Sequence, residues 1–181
     1  MSVTPKSSLI NKHVLLDTCF IIKAYQYNDT SYFNKLFLHL KNNNCIPVIN
    51  EFIKFEFLCG CKTKEHISIK TDFLDFLSPE KTVLSLPIDE CILNDAIKIS
   101  NIYSNKNVNS KHPNAIDCYI SAYLKKYEKN LLFVTLDNND YPLILHDRIG
   151  IHTIDTEEEI LVLGFYKFNN KKFEKLSKNI K

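Results

Sequence analysis

A chain of 181 residues is long enough to enclose one sizeable core and too short for two ordinary domains. Hydrophobic residues at 45% and charged residues at 24% exclude a wholly disordered, collagen-like or disulfide-scaffold chain. A net charge of +2, from 23 basic and 21 acidic side chains, sets up no global field toward nucleic acid or membrane, so such a partner must be met by a local patch.

The first element in chain order is the apolar run 13–17, a strand that ends in Asp17. A helical pattern through Phe20, Ile21, Ile22 and Tyr25 follows it. A second helix is expected over residues 31–40, stopped by Asn42, Asn43 and Asn44, and residues 45–49 then read as a buried strand. Asn50 is the natural N-cap of a helix over 51–59, and Gly60 stands where a left-handed C-cap is wanted.

Residues 64–104 read as two helices, with a short strand or extended connector at 82–86 between them, and 105–111 as a loop. His112, Pro113 and Asn114 then open a helix with Ile116, Ile120, Tyr123, Leu124 and Tyr127 on one face, capped by Asn114. Residues 131–135 form the most strand-like segment and 150–154 another. The acidic run 155–159 reads as a turn or helix start. Aromatics alternate with lysines over 165–173 as a terminal strand with half-buried rings, in preference to a base-stacking surface. Residues 171–181 read as a basic helix whose Phe173, Leu176 and Ile180 dock on the body or a partner. Strands alternating with helices predict an α/β fold: three layers, α/β/α, around a mostly parallel sheet, in a single domain over 1–181 with its core at about 13–155.

Six cysteines lie mostly inside apolar stretches, residues 1–12 carry no apolar signal core, and no stretch nears the roughly 20 apolar residues a spanning helix needs. A cytoplasmic protein with reduced thiols and no membrane association is expected. Cys59, Cys61 and His66 fall short of a zinc set, since no fourth ligand follows at usable spacing.

In a parallel sheet the carboxyl ends of strands and the amino ends of the helices leading into the next strand share one edge, where ligands bind. Four acids fall there. Asp17 closes the first strand, Asp137 follows the strand ending at Thr135, Asp117 lies in the first turn of the helix leading into that strand, and Glu56 sits one turn into the helix after the second strand. Taken singly, Asp17 reads as a cap, Asp117 as a complement to the helix dipole and Asp137 as a turn residue. Glu56 is different, because its helical neighbours are Phe52, Ile53, Cys59 and Gly60, which sets an acid into the apolar arc. Converging carboxylates need a cation between them, and an oxygen-only donor set selects Mg²⁺ or Mn²⁺. Such an ion serves phosphodiester hydrolysis. Asp17 followed by Thr18 also suits a haloacid-dehalogenase-type phosphatase, but Cys19 stands where that motif needs its second acid.

The pieces Val14-Leu15-Leu16-Asp17-Thr18, Ile49-Asn50, Glu56-Phe57-Leu58-Cys59-Gly60, Asp117-Cys118-Tyr119-Ile120-Ser121-Ala122 and Val134-Thr135-Leu136-Asp137-Asn138-Asn139-Asp140-Tyr141, in that order, resemble the PIN-domain nucleases. Among these they resemble the VapC-like toxins of bacterial toxin–antitoxin pairs. The resemblance implies a metal-dependent endoribonuclease leaving a 5′-phosphate, with metal-binding acids at Asp17, Glu56, Asp117 and Asp137 and Thr135 in support. Within the family the last acid lies two or five residues after that threonine, which fits both Asp137 and Asp140. Asp137 is still at the strand edge and Asp140 is reached only through a turn at Asn138 and Asn139, so Asp140 is expected in a supporting role. The resemblance also implies an RNA substrate and an antitoxin protein, and a homodimer is a further partner considered. A non-catalytic RNA- or protein-binding module on the same fold is the alternative.

Overall fold

A computed structural model of the chain describes residues 9–27, 31–77, 89–106, 113–137 and 144–178. In chain order these are β1 (His13–Leu16), α1 (Thr18–Gln26), α2 (Ser31–Asn42), β2 (Ile46–Val48), α3 (Glu51–Leu58), α4 (Lys64–Leu77), α5 (Glu90–Lys106), α6 (Ala115–Lys126), β3 (Leu131–Thr135), β4 (His146–Asp155), β5 (Ile160–Phe168) and α7 (Asn170–Ser177). The helix starts follow side-chain chemistry. Asn50 accepts the Ile53 N–H at 2.9 Å to cap α3, and Asn169 accepts the Lys172 N–H at 3.0 Å to cap α7. Asn44 takes a left-handed φ of 52° between α2 and β2, and Gly60 a φ of 81° beyond α3, where a residue with a Cβ is disfavoured.

The strands order as β2-β1-β3-β5-β4. β1 lies between two parallel neighbours, with Leu15 opposite Val48 and Leu16 opposite Val134. β5 runs antiparallel to β3 and to β4, so the sheet is mixed: a parallel centre with an antiparallel hairpin on one flank. The sequence pattern pointed to a more uniformly parallel sheet. It missed the hairpin because the strand expected at 165–173 stood at the end of the chain, outside the core, with half-buried rings, whereas β5 spans Ile160–Phe168 as an interior strand with Leu161, Leu163, Phe165, Tyr166 and Phe168 all buried. The expected strand at 150–154 lies in the second half of the ten-residue β4. The acidic run at its end is the hairpin turn, where the Thr156 hydroxyl donates to the Glu159 carbonyl at 2.7 Å.

Every residue of β3 is buried, which requires helices on both faces. β5 shows the two sides. Phe165 meets His39 of α2 (ring centroids 6.4 Å apart), and Phe168, on the opposite face, meets Phe173 of α7 at 5.7 Å. This is an α/β fold compatible with three α/β/α layers. Asn105 and Lys106 belong to α5 rather than to a loop. The connector expected at 82–86, the loop over 107–111 and His112 lie outside the described residues. No helix among the described residues is long and apolar enough to cross a membrane.

Candidate active site

The register of β1 on β3 builds the site. With Leu16 opposite Val134, the next residues, Asp17 and Thr135, are neighbours at the carboxyl edge, and the Asp17 N–H extends the ladder to the Val134 carbonyl at 3.0 Å. Thr135, fully buried, donates its hydroxyl to Asp17 Oδ2 at 2.5 Å and accepts the Asp137 N–H at 2.9 Å. One threonine thus aligns the acids that follow two parallel strands.

Asp17 is also the N-cap of α1: its Oδ1 accepts the Thr18 N–H at 2.7 Å, while the Cys19 thiol donates to Oδ2 at 2.8 Å. Burial still lifts the Asp17 carboxyl above its ordinary value, with the charge of Glu56 adding to the rise, against the lowering by those donors. Burial and the charge of Asp17 together push the Cys19 thiol up to about 12, so it stays protonated and serves as a donor.

Glu56 reaches the edge from α3. That helix buries Ile53 and Phe57, whereas Cys59 and Gly60 are exposed. Glu56 therefore lies half-buried at the border of the apolar face rather than deep in it, which corrects the expectation from helical spacing. Its Oε2 accepts a hydrogen bond from the Thr18 hydroxyl at 2.7 Å. Glu51, one turn earlier, faces solvent.

Asp117 enters from the start of α6, in a capping box: Asn114 accepts the Asp117 N–H at 2.9 Å, and Asp117 Oδ2 accepts the Asn114 N–H at 3.0 Å. Its carboxyl is raised to about 6. Burial is the main cause, the charges of Asp17, Glu56 and Asp137 add to it, and the Asn114 N–H opposes it. Asp17, Glu56 and Asp137 therefore all lie within electrostatic reach of Asp117, and Glu56 within reach of Asp17. Asp140 lies outside the described residues.

Thr18 and Cys19 went unassigned in the sequence. Each sits beside Asp17 in the chain, yet their partners, Glu56 and Thr135, come from distant segments, and no local pattern reveals such pairings. The donors are carboxylates and hydroxyls, together with one protonated thiol, a set suited to a hard cation. Among the described residues, no three His, Cys, Asp or Glu side chains form a ready metal-binding group. A cation at this edge would draw much of its shell from water, the ordinary manner for Mg²⁺. Comparison of the chain with protein-family models, with curated proteins and with solved structures finds no match in any of the three.

Proposed function

We propose that the chain is a Mg²⁺- or Mn²⁺-dependent endoribonuclease of the PIN type, in which Asp17 and Asp117 hold the metal, Asp137 shares its sphere and Glu56 orients the attacking water. One observation carries this reading: the carboxyl edge of β1 and β3 gathers acids, with Thr18 bonded to both Asp17 and Glu56 and Thr135 bonded to Asp17 and to the backbone of Asp137, while the charges of all three add to the burial that raises Asp117 to about 6. Such repulsion is costly unless a cation relieves it. A bound ion would supply charge stabilisation at the phosphoryl oxygens. In this reading Glu56, whose Oε2 accepts the Thr18 hydroxyl, takes a proton from water attacking phosphorus. Thr135 keeps Asp17 and the backbone of Asp137 in register, a precondition for catalysis by positioning.

The test incubates a mixed RNA pool with the protein, with and without Mn²⁺, and reads the new ends by sequencing. Metal-dependent 5′-phosphate ends that vanish with Asp17→Asn are expected, and full activity of Asp17→Asn would refute the reading. A cytoplasmic toxin with an antitoxin partner belongs to the same proposal, and co-purification with the product of a neighbouring reading frame tests it. So does a homodimer, which the sedimentation mass of the purified protein tests.

A second reading, a non-cleaving RNA- or protein-binding module, draws on the use of Asp17 and Asp117 as helix caps, a structural job that needs no metal. RNA binding that survives EDTA and both acid substitutions, without cleavage in any metal, would favour it.

A further inference from the structure

We infer that Thr18 is a positioning residue for the water-orienting acid: its hydroxyl fixes the Glu56 carboxylate against Asp17. This role rests on the nuclease reading above. Three observations carry it. Thr18 is the first residue of α1, with no helical turn before it to offer a carbonyl, so its hydroxyl is free to leave the helix. It spends its single proton on Glu56 Oε2 at 2.7 Å, a charge-assisted bond between residues thirty-eight apart in sequence and on different helices. The same residue gives its N–H to Asp17 Oδ1 at 2.7 Å. One buried residue, 8% exposed, is therefore bonded to an acid at the end of β1 and to an acid on α3. A β-branched side chain has few χ1 states, so the donor stays aimed.

A hydroxyl that only completed the fold would leave catalysis untouched once the protein is folded. A hydroxyl that aims Glu56 makes the rate depend on it, and only while Glu56 is there to be aimed. The expected behaviour of Thr18→Val is a native circular dichroism spectrum, KM within about twofold of wild type, and kcat reduced roughly 10–100-fold, the range for loss of a residue that orients a catalytic group. Thr18→Ser, which keeps the hydroxyl on a freer side chain, recovers most of that loss. The decisive arm is a double-mutant cycle: in a Glu56→Gln background, Thr18→Val adds less than about threefold, because the group it aims has lost its charge.

Each failure points somewhere definite. Wild type silent on the RNA pool in Mg²⁺ and Mn²⁺ overturns the nuclease reading and this role with it. Wild type active with Thr18→Val at full kcat overturns the role and leaves the nuclease reading standing. Losses that multiply in the cycle place the effect of Thr18 away from Glu56 and overturn the role. If Thr18→Val does not fold, Thr18→Ala carries the same cycle and is judged by the same criteria.

Discussion

The carboxyl edge of β1 and β3 and the β4–β5 hairpin are parts of one sheet built to opposite rules. At the edge each strand stops in a polar residue, and Asp17, Thr135 and Glu56 with its donor Thr18 are tied by hydrogen bonds while like charges accumulate. In the hairpin, β5 buries five large apolar side chains, and the buried His152 of β4 stacks on His39 of α2 with ring centroids 5.0 Å apart. Neither ring nitrogen of His152 has a protein partner among the described residues. Charge gathers where the strands end, and apolar burial gathers where they turn back. Activity and stability should therefore be separable by mutation, one region at a time.

The largest expected effects set the two regions against each other. Asp17→Asn and Asp117→Asn should each lower kcat by on the order of 10²–10⁴-fold, with unfolding midpoints in EDTA equal to or above wild type, because a repelling charge is gone. Asp137→Asn should follow them, costing more than Asp140→Asn at saturating Mn²⁺; the reverse order would make Asp140 the ligand. Phe165→Ala in β5 should do the opposite. Removing a fully buried ring costs about 3–5 kcal/mol, read in urea unfolding, while the fraction that remains folded keeps its specific activity. An acid variant that unfolds, or a Phe165→Ala protein that is folded but inactive, would break the separation.

The edge was far more legible than the hairpin, for a physical reason. An acid or hydroxyl at the end of a short apolar run is a local signal, so Asp17, Thr135 and the caps Asn50 and Asn114 could be placed from their neighbours. A strand's partner is a long-range choice. Residues 160–168 carry strand-like aromatics, but nothing within them says that Gly164 lies opposite Thr135, and so the sheet was expected to be more parallel than it is. The His39–His152 stack joins residues more than a hundred positions apart and had no sequence signal at all. Helical spacing assigns Glu56 to α3 but sets it deeper than it lies, because spacing names the apolar face and not how far a helix end projects beyond the core.

The hairpin predicts its own pH dependence. Burial, followed by the charges of His39 and Lys35, lowers His152 to about 4, and burial lowers His39 as well. An unfolded histidine near 6.5 binds protons that the folded one refuses, so the unfolded state carries more protons between about pH 6.5 and 4. Stability should be fully present above that window and fall as the pH drops through it. The loss at pH 4 is about 1–3 kcal/mol relative to pH 7. His152→Phe should flatten that part of the profile in urea titrations run at successive pH values. An unchanged acid slope would mean that His152 is not a group that takes up its proton on unfolding.

Asp117 gives the smallest expected effect and the sharpest, because its sign is opposite in an overlapping window. Its folded carboxyl titrates at about 6 against an ordinary 3.8, so here the folded state binds the extra proton. This contribution to stability is greatest below about pH 4 and declines as the pH rises through 6. The wild-type profile thus sums two opposing slopes, and no single curve resolves them. The difference between wild type and Asp117→Asn does. Asparagine keeps an oxygen that can accept the Asn114 N–H, so the capping box is weakened rather than lost. What disappears is a buried charge, held beside Asp17, Glu56 and Asp137. In EDTA the variant should gain about 1–2 kcal/mol at pH 7, less than the full shift at about 1.4 kcal/mol per unit because the cap is weakened. The gain should shrink to nothing or reverse near pH 4, where both proteins are neutral at this position. Adding Mn²⁺ at pH 7 should erase the advantage by stabilising the wild type through binding to its native state. If the gain is instead the same at pH 4 and pH 7, the substitution acts through the cap alone and the acids at this edge do not repel.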